Sequence, residues 1–238
     1  MNITTYSSHN NIIDNSLKNK NVVCIDVFCS SSTLIGAFSN GLKRILVVDD
    51  PTDAPNYKYQ LNNDRVLMGG ALDFSPITGL DVTDSFSDYS KEIVDGKELI
   101  YSNENFAPTL KKSLDSKHLF IGGFVNAKAV AEVLISLNDD IALVCCGTKG
   151  CFALEDGLAA GAIINEISKV RPVSLSEYSL VIDLFYKQHE NDLLHILEKS
   201  NAYKTLMQLE HFDDISMALS QNTYDFVPTL YDNWITVL

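Results

Sequence analysis

Three times along this chain a short apolar run ends in a polar or glycine-rich turn and is followed by apolar residues at helical spacing. The first unit is Asn21 to Gly41, in which Val22 to Ile25 leads to Asp26 and then to the hydroxyl cluster Ser30 to Thr33. Leu34, Ala37 and Phe38 follow at helical spacing and Asn40-Gly41 stops them, which reads as buried strand, turn and helix. The second runs from Leu119 to Ile121, through Gly122 to Asn126, into a helix over Ala127–Leu137 that Asn126 is suited to cap. The third is Ile141 to Cys146, the turn Gly147 to Gly150, the pair Glu155-Asp156 and an apolar helix from Leu158 to Ile167. Repeated units of this kind confine the chain to an α/β class with a largely parallel or mixed sheet layered between helices.

The remaining segments fit around that frame. Residues 1–20 are a polar lead-in with an early strand around Ile12 and Ile13, and 21–238 form one α/β domain. Leu42 to Val48, Val66 to Met68 and Leu99 to Tyr101 read as strands, and Ala107 to Leu114 as a helix. Residues 51–65 carry two prolines and read as loop with one short helix. The polar stretch from Ala71 to Tyr89 is long for a loop in a compact domain, and such loops are functional or disordered. Residues 174–220 form a helix-rich region, a subdomain in outline. Its helices are expected at Ser176–Gln188, Leu193–Glu198, Ala202–Leu209 and Asp214–Leu219, before an extended tail from Tyr224 that docks Trp234 on the body.

Charge narrows the partners. With 31 acidic and 18 basic residues the chain carries −13, so nucleic acid is not expected, since phosphate contacts need a basic surface. A small phosphorylated substrate would need a cation or a cluster of donors to offset that charge. No apolar run is long enough for a membrane span, and the polar start lacks the apolar core of a signal peptide, so a cytoplasmic protein is expected. A homodimer through the C-terminal helices is compatible with the sequence. The five cysteines lack zinc-site spacing and read as reduced thiols. Cys29 alone, beside a helix start, is a candidate for reactivity.

In a parallel sheet, sites collect at the carboxyl ends of the strands. Asp26, Gly70, Asn103, Asn126 and the Gly147–Gly150 turn all fall there. The polar groups on offer are Asp26, Ser30, Ser31, Ser32, Thr33, Asp81, Ser85, Asn103, Asn126, Thr148, Lys149, Glu155 and Asp156. Carboxylates, hydroxyls and amides without a His or Cys cluster suit a hard cation such as Mg²⁺. Beside helix N-termini, such an ion suits phosphate-ester chemistry. Each residue has a plainer role: Asp26 a structural acceptor, Ser31 or Ser32 a cap, Asp81 a turn former, Glu155-Asp156 a helix-start charge pair. The five histidines are scattered, none placed for a triad, and no dinucleotide fingerprint occurs.

Taken in order, the motifs resemble the 2-phosphosulfolactate phosphatase (ComB-like) family over about residues 20–230. The residues that carry the likeness are Ile25-Asp26-Val27 with Ser30 to Thr33, Gly69-Gly70, Gly79-Leu80-Asp81 with Ser85, and Asn103. Gly122 to Ala127, Cys145 to Gly150, Glu155-Asp156 with Ala160-Gly161, Asp213-Asp214 and Val227-Pro228 continue it. The resemblance implies a Mg²⁺-dependent phosphatase of coenzyme M biosynthesis. Asp26, Glu155 and Asp156 would then hold the metal, and Asp26 and Asp81 would be catalytic. Ser31, Ser32, Thr33, Ser85, Asn103, Asn126 and Thr148 would bind the substrate. The sequence departs from the family pattern at Cys29 (Arg in the family), Ala71 (Glu), Asp84 (Asn), Phe86 (Pro) and Glu104-Asn105 (Gly-Thr). The alternative is a degenerate relative that binds a small molecule or a protein without catalysis.

Overall fold

The computed structural model describes residues 1–237. Its strands are β1 (Asn2–Tyr6), β2 (Asn21–Ile25), β3 (Arg44–Val47), β4 (Val66–Leu72), β5 (Ser75–Pro76), β6 (Glu98–Asn103), β7 (His118–Gly122), β8 (Ile141–Cys145), β9 (Ser174–Leu175), β10 (Thr229–Tyr231) and β11 (Trp234–Thr236). The helices are α1 (Ser30–Ser39), α2 (Ala54–Leu61), α3 (Lys91–Val94), α4 (Phe106–Lys112), α5 (Ala127–Leu137), α6 (Leu154–Val170), α7 (Glu177–His189), α8 (Leu193–Leu197), α9 (Asn201–Gln208) and α10 (Phe212–Ala218). One mixed sheet runs through the described residues in the order β5-β4-β6-β3-β11-β10-β7-β2-β8-β1-β9. The fold is α/β, as the repeated units require.

The sheet consists of two parallel blocks. In one, β4, β6 and β3 pair in parallel. In the other, β7, β2, β8, β1 and β9 do the same. The hairpin β10–β11 sits between them, antiparallel to β7 on one side and to β3 on the other. The sequence reads this segment as an extended tail; it is an interior part of the sheet. Asp232 and Asn233, both at positive φ (49° and 67°), make its two-residue turn, the geometry that a tight hairpin favours. The Arg44 guanidinium stacks 3.9 Å from the centre of the Trp234 ring. Residue 238 lies outside the described residues.

Burial on both faces explains the unbroken apolar runs. Val23 and Ile25 of β2 join Leu143 of β8 in a core with α5 and α6. Val22 and Cys24 point the other way, into a core with Leu34 and Ile35 of α1 and Phe106 of α4. Ile100 of β6 packs with Val66 and with Ala54 of α2. The helix α7 lies close along α6 because Gly161 is bare. A Cβ there would come within 2.5 Å of the Tyr186 Cβ and 3.0 Å of the Ile182 carbonyl.

Three boundaries differ from the sequence reading in ways that bear on the site. The early strand falls at Asn2–Tyr6, where Ile3 and Thr5 alternate inward, while Ile13 is exposed. Helix α1 begins at Ser30, four residues before Leu34, so the hydroxyl cluster is its first turn. Helix α6 begins at Leu154, which puts Glu155 and Asp156 in its first turn. The Ala71–Tyr89 stretch is ordered. It turns back at Asp73-Phe74 to pair β5 with β4, bridges Val82 to Gly69, and ends in a 3₁₀ turn at Phe86–Tyr89.

Candidate active site

The site begins with how β2 is joined to α1. The Ser31 hydroxyl accepts the Asp26 N–H (3.1 Å) and donates to the Asp26 carbonyl (2.7 Å). The Ser31 N–H donates to the same carbonyl at 2.8 Å. This knot fixes Asp26 at the carboxyl end of a buried strand, and it occupies Ser31 as a brace. Thr33 is likewise engaged, donating to the Asp84 carbonyl at 2.8 Å. Ser32 is different: its hydroxyl is buried and has no partner. It stands near Gly123 at the end of β7, where a Cβ would lie 3.8 Å from the Ser32 oxygen.

The next brace is Asp156. Its Oδ1 accepts the Val27 N–H (2.8 Å) and its Oδ2 accepts the Gly147 N–H (2.9 Å). One carboxylate thus ties the loop after β2 to the loop after β8. Gly147 is at φ 69°, and a Cβ there would collide with the Cys151 carbonyl, so the turn needs glycine. The turn closes through the paired Thr148–Cys151 backbone bonds, each 3.0 Å. Expected as a metal ligand, Asp156 instead has both oxygens occupied by backbone N–H groups. Neighbouring Glu155 has a buried Oε2 with no partner, as does the Oδ2 of Asp26.

The third part comes from the long loop and α10. Asp214 Oδ1 accepts the Phe86 N–H (2.7 Å) and the Ser85 hydroxyl (3.0 Å). Its Oδ2 lies 2.7 Å from His211 Nδ1. Buried Asp84 carries an Oδ2 that lies 3.5 Å from the Asn103 side-chain nitrogen. Asn103 Oδ1 accepts the Asn105 and Phe106 N–H groups. The Tyr101 hydroxyl donates to Ser30 at 3.0 Å.

The carboxyls of these parts face one another, and their proton affinities follow. The pKa of Asp26 rises from 3.8 to about 7. Burial is the largest cause, Ser30 opposes it, and Asp84, Glu155 and Glu104 add to it. That of Asp84 rises to about 6, through burial and then Asp214. Glu155 and Asp156 are raised too, both chiefly by burial. The Cys29 thiol is also held protonated, by burial and then by Asp84, Asp214, Asp26 and Glu155. The reactivity open to a thiol at a helix start is therefore reversed here.

Two expected contributors stand elsewhere. Asp81 is partly exposed, and its Oδ2 is taken by the Met68 N–H (2.9 Å) and Lys58 Nζ (3.2 Å). It ties its loop to Met68 within β4; the acid of its loop whose charge acts on Asp26 is Asp84. Asn126 spends its amide on the backbone. It accepts the Gly123 N–H and donates to the carbonyls of Ile121 and Phe226, each within 3.2 Å. It pins the segment before β10 rather than facing a ligand. Sequence spacing could not place Asp214, His211, Glu104 or Tyr101, since Asp214 meets Ser85 across 129 residues.

The residues fit a hard cation in one respect. Two buried carboxylate oxygens, on Asp26 and Glu155, lack any partner, and a cation would supply one. Mg²⁺ takes one or two protein carboxylates and completes its shell with water and phosphate. The donor set is all oxygen, as such an ion prefers.

Comparison with known proteins identifies the family. The sequence model of the 2-phosphosulpholactate phosphatase family matches residues 6–233. A protein of Caldicellulosiruptor saccharolyticus called "Probable 2-phosphosulfolactate phosphatase" is 35% identical over 233 residues, 95% of this chain and 96% of its own. One of the same name from Caldanaerobacter subterraneus subsp. tengcongensis is 32% identical over 228 residues, 96% and 95%. Another from Clostridium beijerinckii is 31% identical over 237 residues, 99% of both chains. A match over residues 6–233, from the last residue of β1 to the turn of the C-terminal hairpin, places this chain in the 2-phosphosulpholactate phosphatase family.

Proposed function

We propose that the protein is a Mg²⁺-dependent hydrolase of small phosphoric monoesters. The observation that carries this reading is the set of buried, unpartnered oxygens on Asp26, Glu155 and Ser32, of which Asp26 directly follows β2 and Glu155 and Ser32 lie in the first turns of α6 and α1. Family membership and the names of the relatives support it. Asp26 and Glu155 would hold the ion, with Asp156 positioning both loops behind them. When bound, Mg²⁺ would polarise the phosphoryl group and offset its charge.

The chain's own groups supply the rest. Ser32 and the first turn of α1 receive the phosphate oxygens, where helix N–H groups favour an anion. Asp84, ionised at neutral pH with its pKa at about 6, orients the attacking water and takes its proton. As the new P–O bond forms and the ester P–O bond breaks, that proton passes to the leaving alkoxide. Asn103 holds the Asp84 carboxyl in place. Asp84 thus takes the role that the sequence assigned to Asp81. The test is Mg²⁺-dependent phosphate release from a panel of small phosphomonoesters; no release by folded protein would sink the reading.

A non-catalytic relative is the second reading. It is favoured by one observation: among the described residues, no group of three or more His, Cys, Asp or Glu side chains is placed to hold a metal ion. The two readings separate on thermal unfolding. A ligand of the folded state raises the midpoint, so an unchanged midpoint in Mg²⁺ favours the second.

A further inference from the structure

Helix α7 covers α6 with one face and leaves the other bare. Its inner face is Ser179, Ile182, Asp183 and Tyr186, all buried, and Ile182 and Tyr186 lie against Gly157 and Gly161 of α6. The opposite face holds Leu180, Val181 and Leu184, which stay 47%, 59% and 58% exposed. Leu180 and Leu184 are one turn apart, and Val181 stands beside them. Among the described residues no other helix exposes three large apolar side chains. Single exposed leucines are ordinary. Three within five residues of one helix, rimmed by polar groups, form the kind of patch that marks a contact surface.

The charges at the two ends of the patch say what covers it. The exposed residues of α7 are Glu177, Leu180, Val181, Leu184, Lys187 and Gln188, and their charges cancel. The chain as a whole carries −13, so its surface in general repels a second copy, and this face does not. The pattern is also self-complementary. Leu180 and Leu184 lie two residues either side of Ile182, and Glu177 and Lys187 lie five residues either side of it. Two copies of α7 crossing antiparallel on a two-fold axis opposite Ile182 therefore set Leu180 of one against Leu184 of the other. The same symmetry brings Glu177 of each copy to the level of Lys187 in the other. A parallel pairing would set like charge against like. Lys187 gives one hydrogen bond to Asp183 at 2.7 Å and has two donors left.

We propose that the outer face of α7 is a self-association surface, on which two copies of this chain pair antiparallel with Leu180, Val181 and Leu184 at the centre and Glu177–Lys187 pairs at the ends. This is independent of the phosphatase reading. It gives the homodimer expected through the C-terminal helices a face and a register. A pair of 13-residue helices buries less than the roughly 800 Å² per partner of a standard interface. The dimer is therefore reversible, with a Kd on the order of 10 μM. The exposed end pairs add little affinity; their part is to select the antiparallel arrangement over the parallel one.

The experiment is sedimentation velocity on the full chain from about 1 to about 200 μM, in about 0.15 M salt, where repulsion between exposed charges is screened beyond about 8 Å. The average mass is expected to climb from that of one chain to that of two across this range. Leu184→Lys should weaken association at least about 10-fold, with the unfolding midpoint confirming that it folds. Leu180→Ser, a milder change, should weaken it about 3-fold and serves where Leu184→Lys lowers the midpoint. The register is read by a cycle of Glu177→Gln and Lys187→Gln. Each should weaken the dimer about 3-fold, and both together no more than either alone, because each removes the same contact. A monomer at about 200 μM overturns the proposal. So does a dimer that keeps its affinity in both leucine variants, which would place the contact on another face. Losses that add across the cycle, or no loss at all, overturn the antiparallel register.

Discussion

The two sides of the site are assembled by different means. On the inner side, Asp26, Glu155 and Asp156 hang from the parallel block of β7, β2 and β8, and their positions are fixed by backbone. Asp156 alone holds two loops through two N–H groups. On the outer side, Asp84, Ser85, Asp214 and His211 belong to a loop and a short helix that meet across 129 residues, largely through side chains. The inner side is positioned by the sheet and by Asp156, so one oxygen each of Asp26 and Glu155 can be left without a partner and still hold its place. The outer side must use its polar groups on one another to exist at all. Charge repulsion can be held on the first; the second is an adjustable wall.

The strongest way to break this contrast is Asp156→Ala. Two buried N–H groups would lose their acceptor, and the loss of stability should be about 2–5 kcal/mol, read by urea unfolding. A cost below about 1 kcal/mol would mean that the inner side is not braced as described. Next comes Asp26→Asn, which removes a buried charge and keeps the shape. Phosphate release should fall by about 10²–10³-fold and Mg²⁺ should no longer raise the unfolding midpoint, while metal-free stability holds or rises.

The pH dependence tests both sides together. Asp26 and Asp84 bind protons more tightly folded than unfolded, at about 7 and about 6 against 3.8. Metal-free stability should therefore be greatest near pH 4, fall as pH rises through about 6 to 7, and level off above, a loss on the order of a few kcal/mol. Mg²⁺ should restore stability at about pH 8 and have little effect at about pH 4.5, where the carboxyls are protonated. Stability that rises with pH in this window would contradict the burial of these acids. The smallest effect belongs to the outer side. His211→Ala removes one partly exposed partner of Asp214 and should cost about 1 kcal/mol in chemical unfolding, leaving Ser85 and the Phe86 N–H bonded.

What was legible in the sequence follows the same division. The runs Val22–Ile25 and Ile141–Cys145 announce strands buried on both faces. Once they are parallel neighbours, the residues after them share one edge of the sheet, so Asp26 and the Gly147 turn could be brought together on paper. Asp84 and Asp214 could not, because no periodicity links a polar loop to a helix of seven residues. The separate fates of Glu155 and Asp156 were also out of reach. They are adjacent in sequence and alike in chemistry; only the roughly 100° step between helical neighbours turns one toward backbone N–H groups and leaves an oxygen of the other bare. The hairpin was missed because its strands have three residues each, too short for an alternation to register, although Asp232-Asn233 suits its turn.

That hairpin has a consequence for how the molecule comes into being. Its two strands follow all nine others along the chain, yet they occupy the middle of the sheet. During synthesis the parallel blocks can form, but until residues 229–236 arrive, β3 and β7 each present an open edge to whatever strand is near. Non-local pairing of this kind is slow, and open edges invite wrong partners. The join between the two blocks is therefore a late event in folding, and the exposed edges before it are where a chaperone, or a neighbouring chain, would meet this protein.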